Sequence, residues 1–209
     1  MSQHLKPCAF CPKLHDAFLS GNHMDTPQGV WRHSLERIQS IQASNNLLNI
    51  DTWPSWNSSA QRVLSSTTGS LSEGQRFDLH RIERQRLVEE LWSVKTIRTG
   101  TNPDFSEIEF EWLGQQREGK TLGTALKSLR MSVTVLCEDE GGVEIAAWWQ
   151  IPWWARFLRT RVNAQAKSFA TQWLNDLVTK GIAPYDESQP FSFTDSESED
   201  SKTAVNDAV

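Results

Sequence analysis

From residue 153 to about residue 179 the chain carries apolar residues at helical spacing, and this segment most narrows the choice of fold. Pro152 stops whatever precedes it. Trp154, Phe157, Leu158, Val162, Ala166, Phe169, Ala170, Trp173, Leu177 and Val178 then recur on one side, with Arg156, Arg159, Asn163, Lys167, Thr171 and Asn175 mostly on the other. Gly181 after Lys180 supplies a stop. A helix of that length spans about 40 Å. It can lie across a whole twisted sheet, and so wide an aromatic stripe needs one to cover it.

The text before it reads as that sheet. Gln61 to Thr67 is one strand, closed by Gly69 and Gly74, and Gln75 to Ile82 alternates Phe77 and Leu79 with Arg76, Asp78 and His80. Arg86 to Ile97 is a third, followed by a turn at Asn102-Pro103. Glu107 to Gly114 sets Ile108, Phe110 and Trp112 against Glu107, Glu109 and Glu111, one face buried and the other wet. Leu126 to Glu138 alternates Leu129, Met131, Val133 and Val135 with Arg130, Ser132 and Thr134, and Glu140-Gly141-Gly142 reads as a hairpin turn into Val143 to Ile151. Connections this short exclude parallel crossovers, which need a dozen or more residues. The fold class is α+β, an antiparallel sheet of six or seven strands with the long helix at about 153–179.

The N-terminal part is less regular. Residues 1–13 read as an irregular leader and 14–24 as a weak first strand. Thr26 and Pro27 look like the N-cap and first position of a short helix over 27–42, with Trp31, Leu35, Ile38 and Gln42 on one face. An Asn-rich stretch then leads to Trp53-Pro54-Ser55-Trp56-Asn57, a loop or single helical turn carrying two large rings.

Net charge is −5, but the 28 residues after Gly181 hold seven carboxylates against Lys202, so the rest sits at +1. The acidity belongs to a tail, 182–209, whose Ser, Asp and Glu content predicts disorder. A body without excess positive charge gives nucleic-acid binding little electrostatic support. No uninterrupted apolar run reaches the 18 or so residues of a spanning helix, and no signal peptide is legible, so the expectation is a soluble, cytoplasmic protein. Three cysteines make no disulfide framework. Cys8 and Cys11, with His4 and His15 nearby, read weakly as half of a zinc site or as a redox pair, and Cys137 reads as core.

Thr26-Pro27-Gln28-Gly29-Val30-Trp31 resembles the A-P-x-x-V-W helix opening of the START-like, or SRPBCC, helix-grip superfamily, in its polyketide cyclase/dehydrase branch. Trp53-Pro54-Ser55-Trp56-Asn57, then Arg62-Val63 and Gly74-Gln75-Arg76-Phe77, is similar to its W-x-x-W-x-P … V … G-x-R-F run. The Gly141-Gly142 hairpin, Trp-rich strand and long helix match its end. The likeness covers about residues 15–181, and 14–181 is expected to be one helix-grip domain. Trp31 and Trp53 lie farther apart than the pattern has them, so Ile41 to Asp51 looks like an insertion.

The resemblance implies a curved sheet gripping the long helix around a cavity. Ten tryptophans suit a largely apolar guest. Candidate lining residues are Phe77, Leu79, Phe110, Trp112, Met131, Val133, Trp149, Phe169 and Trp173, with Trp53 and Trp56 at the entrance; plain core packing is the competing reading for each. The function implied is binding of a polyketide-like or isoprenoid molecule in secondary metabolism, with its cyclisation or dehydration as the reaction, needing no metal or organic cofactor. His80, Glu90, Arg130 and Gln150 are the candidate acids and bases, although parity sets His80 and Arg130 opposite the inward residues. No residue is singled out as catalytic. A lipid or sterol carrier, or a co-chaperone-like interaction module with Thr194 and Ser196 as acidic-directed phosphorylation sites, are the alternatives. The pairs Trp148-Trp149 and Trp153-Trp154 are compatible with contact at a membrane surface. Oligomeric state is not legible.

Overall fold

A computed structural model describes residues 26–83, 86–117 and 119–183 of the chain. The leader, the strand expected at 14–24 with Cys8 and Cys11, and the tail beyond 183 lie outside the described residues. The alternation read in the sequence is the register observed. In β5 (Asp104–Arg117) Ile108 and Phe110 are fully buried, while Glu107, Glu109 and Glu111 point the other way. Each of these carboxylates meets a cation from a neighbouring strand: Arg98 at 3.4 Å, Arg130 at 3.3 Å and Lys95 at 2.7 Å. Such exposed pairs contribute about 1 kcal/mol or less each, and they keep the outer face wet.

Among the described residues eight strands form one antiparallel sheet, one more than the upper expectation. The others are β1 (Gly29–Leu35), β2 (Arg62–Ser65), β3 (Arg76–Glu83), β4 (Arg86–Thr101), β6 (Lys120–Thr121), β7 (Ser128–Leu136) and β8 (Gly141–Gln150). The order is β1-β8-β7-β5-β4-β3-β2, with the two-residue β6 on the end of β5. The long helix is a 3-10 segment, Trp153–Leu158, followed by α3 (Arg159–Thr179). Val162, Ala166, Ala170, Trp173, Leu174, Leu177 and Val178 of α3 are buried against the sheet.

The helix expected at 27–42 is displaced. Gly29–Leu35 is a strand, paired along its length with β8 from Gly29 against Ala147 to Leu35 against Gly141. The reason is tertiary: the edge of β8 offers a full ladder of backbone partners, whereas the assumed helical face is weak, with Ile38 71% exposed. The helix, α1 (Arg37–Leu48), starts ten residues later, where Glu36 and Gln39 form a reciprocal capping box. The stretch Ile41 to Asp51, read as an insertion, is regular structure. Those residues are the second half of α1 and a 3-10 turn at Ile50–Thr52 that leads straight into α2 (Trp53–Trp56).

Two smaller expectations change. The turn between β7 and β8 is residues 137–140, and Gly141 and Gly142 are the first strand residues of β8. A Cβ at Gly141 would overlap the Leu136 carbonyl oxygen, so the glycine serves close approach. Trp154 and Phe157, expected on the apolar helix face, are 53% and 80% exposed. The tighter 3-10 winding rotates them off the α-helical stripe.

Candidate functional site

The C-terminus of α1 explains the Trp-Pro-Ser-Trp run. The last carbonyls of a helix have no intrahelical partner, and here the Thr52 hydroxyl donates to Asn46 O at 2.8 Å, the Trp53 indole to Leu47 O at 3.1 Å and the Leu71 amide to Leu48 O at 2.8 Å. Pro54 sits in the first turn of α2, where its missing N–H costs nothing. The indole thus holds its ring inside the domain.

Around Trp53 the rings meet edge to face. Their centroids lie 5.2 Å from Phe77, 5.6 Å from Phe110, 5.2 Å from Trp173 and 6.1 Å from Trp56. Trp56 also meets Trp173 at 6.0 Å. All five are buried to within 1%. These are favoured aromatic geometries, and they turn the faces and edges of the five rings onto one another. Leu79, Met131 and Val133 are likewise buried in the same cluster. The Trp173 indole N–H is buried with no acceptor among the described residues.

Open space begins next to this cluster. A cleft of about 420 Å³ lies between the sheet and the first half of α3, and its walls include Trp92, Trp112, Leu126, Leu129, Val162, Ala166 and Phe169. Trp92 and Phe169 stack nearly parallel, centroids 5.6 Å apart and planes 9° from each other. Gln115, Gln165 and Gln172 give it polar points, and Arg81 with Glu90 forms a charged end. Glu90 is 6% exposed and accepts from Arg81 Nη2 at 2.9 Å and Nε at 3.1 Å, while the Trp92 indole donates to its other oxygen at 3.4 Å. The guanidinium keeps about a third of its side chain exposed.

Of the eleven residues singled out as cavity lining, Trp112 and Phe169 line this cleft. Trp149 lines a separate one on the other side of α3, with its indole donating to Asn163 at 2.9 Å. The remaining eight, Trp53, Trp56, Phe77, Leu79, Phe110, Met131, Val133 and Trp173, pack with each other in the core. Among the candidate acids and bases, Glu90 faces the cleft. His80 has the parity opposite to Phe77 and Leu79, Arg130 lies over the Trp148 ring at 4.7 Å, and Gln150 is exposed at the end of β8. Arg81, Trp92 and Gln115 were not anticipated. Arg81 shares the parity of Phe77 and Leu79 and was readable from it. Gln115 was not, because Trp92 pairs with Trp112 but Leu91 with Gly114, a bulge that places Leu113 opposite nothing and returns Gln115 to the inner face.

Cys137 is buried and hydrogen-bonded to Asp104 through its amide at 2.8 Å; burial, then the nearby Asp104 carboxylate, pushes its thiol up to about 11. Among the described residues no group of three or more His, Cys, Asp or Glu could hold a metal ion, and no helix is long and apolar enough to cross a membrane.

No family model and no curated protein matches the chain. Solved structures do match. Hypothetical protein jhp0584 of Helicobacter pylori is 15% identical over 71% of this chain and 84% of its own, with a TM-score of 0.51. A protein of Arthrobacter aurescens is 11% identical over the same shares, with a TM-score of 0.50. The Zhui aromatase/cyclase of a Streptomyces species is 8% identical over 73% and 93%, with a TM-score of 0.47. At these identities the likeness is one of fold. With its first and last strands paired in an open antiparallel sheet that grips a long C-terminal helix, the chain has a helix-grip fold.

Proposed function

We propose that this chain binds a hydrophobic small molecule, polyketide-like or isoprenoid, in the cleft between the sheet and α3. The observation that carries the reading is the polarity of that cleft: stacked rings and aliphatic groups along its walls, and one buried carboxylate paired with a half-open guanidinium at its end. An apolar guest with a single carbonyl or hydroxyl end complements such a site. If the guest is turned over and carries a second carbonyl, Arg81 would polarise the first and Glu90 would take a proton from the neighbouring carbon; the enolate carbon then bonds to the second carbonyl carbon, and the alkoxide formed takes the proton back from Glu90. Loss of water after ring closure completes a cyclisation and dehydration. A positioned base of this kind contributes about 100- to 10,000-fold in rate. The same reading makes 14–181 the binding domain, with the leader and acidic tail outside it, in the cytoplasm.

Native mass spectrometry of the purified protein, before and after denaturation, tests the reading, with tryptophan fluorescence to follow added candidates. A co-purified or titratable apolar compound whose affinity drops tenfold or more in Trp112→Ala supports it. A protein that carries no guest and whose fluorescence ignores every apolar candidate overturns it in favour of an interaction module. Transfer of a guest between vesicles with no product formed removes the reaction and leaves a carrier.

A further inference from the structure

Eight of the ten tryptophans are buried or half-buried, and Trp148, the ring of its pair that must leave the inner face, is covered by the Arg130 guanidinium. The exceptions are consecutive. Trp153 is 79% exposed, Trp154 53% and Phe157 80%, all on the 3-10 segment between β8 and α3. Three large rings in five residues stand in solvent on one turn, a patch that monomeric surfaces rarely carry without a partner.

The charge around this turn is one-sided. From Ile145 to Asn175 the chain has Arg156, Arg159, Arg161 and Lys167 and no carboxylate. All four side chains are exposed, and among the described residues none makes an ion pair. Arg156, Arg159 and Lys167 line one cleft of about 570 Å³ with Trp149 and Asn163, and among the described residues no acidic side chain borders it.

We infer that this turn docks the protein on an anionic phospholipid bilayer, the three rings entering the headgroup layer and the arginines meeting lipid phosphates. The rings stand exposed on the turn, and none of them lines either cleft described above. A fluid surface moulds itself around such rings, whereas a folded partner would have to offer a matching surface. Indole and guanidinium together are the side chains that prefer the polar-apolar boundary of a membrane and its phosphates. The docking surface is separate from the cleft assigned above and stands whether or not that cleft takes a guest.

The full-length chain is mixed with vesicles of phosphatidylcholine, with and without about 30% phosphatidylglycerol, and sedimented. It is expected to partition onto the anionic vesicles, with a blue shift of tryptophan emission, and to leave them as salt rises. Arg156→Gln with Arg159→Gln lowers the partition coefficient roughly 10- to 30-fold. Trp153→Ser, Trp154→Ser and Phe157→Ser together lower it further while leaving the circular dichroism and urea midpoint in place, since none of the three is core. No partition at low salt, or partition indifferent to both variants, overturns the inference. So does displacement by inorganic phosphate at constant ionic strength, which would make the basic cleft a free-anion site, or a concentration-dependent dimer abolished by the serine variant without vesicle binding.

Discussion

Trp53 and Trp173 are two rings of one cluster with centroids 5.2 Å apart, both buried to within 1%, and they differ in one respect: the Trp53 indole has an acceptor and the Trp173 indole has none. Replacing either by Phe removes roughly 40 Å³ of ring, which costs about 1 kcal/mol as residual cavity and about 1 kcal/mol more in lost transfer free energy. Trp53→Phe also strands the Leu47 carbonyl at the end of α1, adding about 1 to 3 kcal/mol. Trp173→Phe strands nothing and relieves an unpaired buried donor, returning a similar amount. The expected costs are therefore about 4 kcal/mol for Trp53→Phe and about 1 kcal/mol or less for Trp173→Phe, although the volume removed is the same. Urea unfolding followed by far-ultraviolet circular dichroism, with both variants fitted to a common slope, reads the difference directly. Two variants that fall within about 1 kcal/mol of each other would refute the claim that hydrogen-bond satisfaction, and not ring volume, separates these sites.

Three further outcomes follow from the described contacts. Glu90→Gln keeps the shape and the acceptor for Trp92 but removes the carboxylate charge that meets Arg81; because Arg81 is partly exposed, the expected cost is about 1 to 2 kcal/mol, below the range for a fully buried pair, measured by thermal unfolding. Gly181→Ala sets a Cβ 2.7 Å from both Leu177 Cδ1 and the Leu177 carbonyl oxygen, beside the carbonyl that Asn46 holds at 2.7 Å, so it should destabilise by about 1 to 3 kcal/mol in the same assay. Cys137, with its thiol raised from 9.0 to about 11, contributes stability that is complete below pH 9 and lost as pH rises toward 11, because the unfolded thiol releases its proton first. Unfolding curves between pH 8.5 and 11 should therefore show a steeper decline in the native chain than in Cys137→Ala, and equal slopes would remove the buried thiol from the account.

What could be read from the residues alone was the part governed by one period at a time. The alternation in β5 and β7 set Ile108, Phe110, Met131 and Val133 inward, and the structure buries all four. The 3.6-residue stripe from Val162 to Val178 was equally direct. Misreadings occur where a period changes within a segment or where a distant partner decides. Trp31, Leu35 and Ile38 fit a helical face well enough, but only the edge of β8, more than a hundred residues away, makes Gly29–Leu35 a strand. Trp154 and Phe157 continue the stripe of α3 on paper and leave it in space because six residues wind as a 3-10 helix.

The cleft shows the same logic most clearly. Two shifts in the β4 and β5 ladder, between Leu91 and Trp92 and between Val94 and Thr96, reset which side chains face α3. The first brings Gln115 back to the inner face beside Glu90 and leaves Leu113 45% exposed; the second places Lys95 outward against Glu111 and lets Ile97 face inward opposite Ile108. Gly114, at φ +150°, supplies the backbone conformation the first shift needs. An unbroken alternation would have turned Gly114 and Gln116 toward the helix in place of Gln115. The bulge sets the Gln115 amide at that end beside Arg81 and Glu90, whose inward parity runs unbroken through β3 and the part of β4 paired with it, so one polar point of the site rests on a ladder irregularity that hydrophobic periodicity does not register.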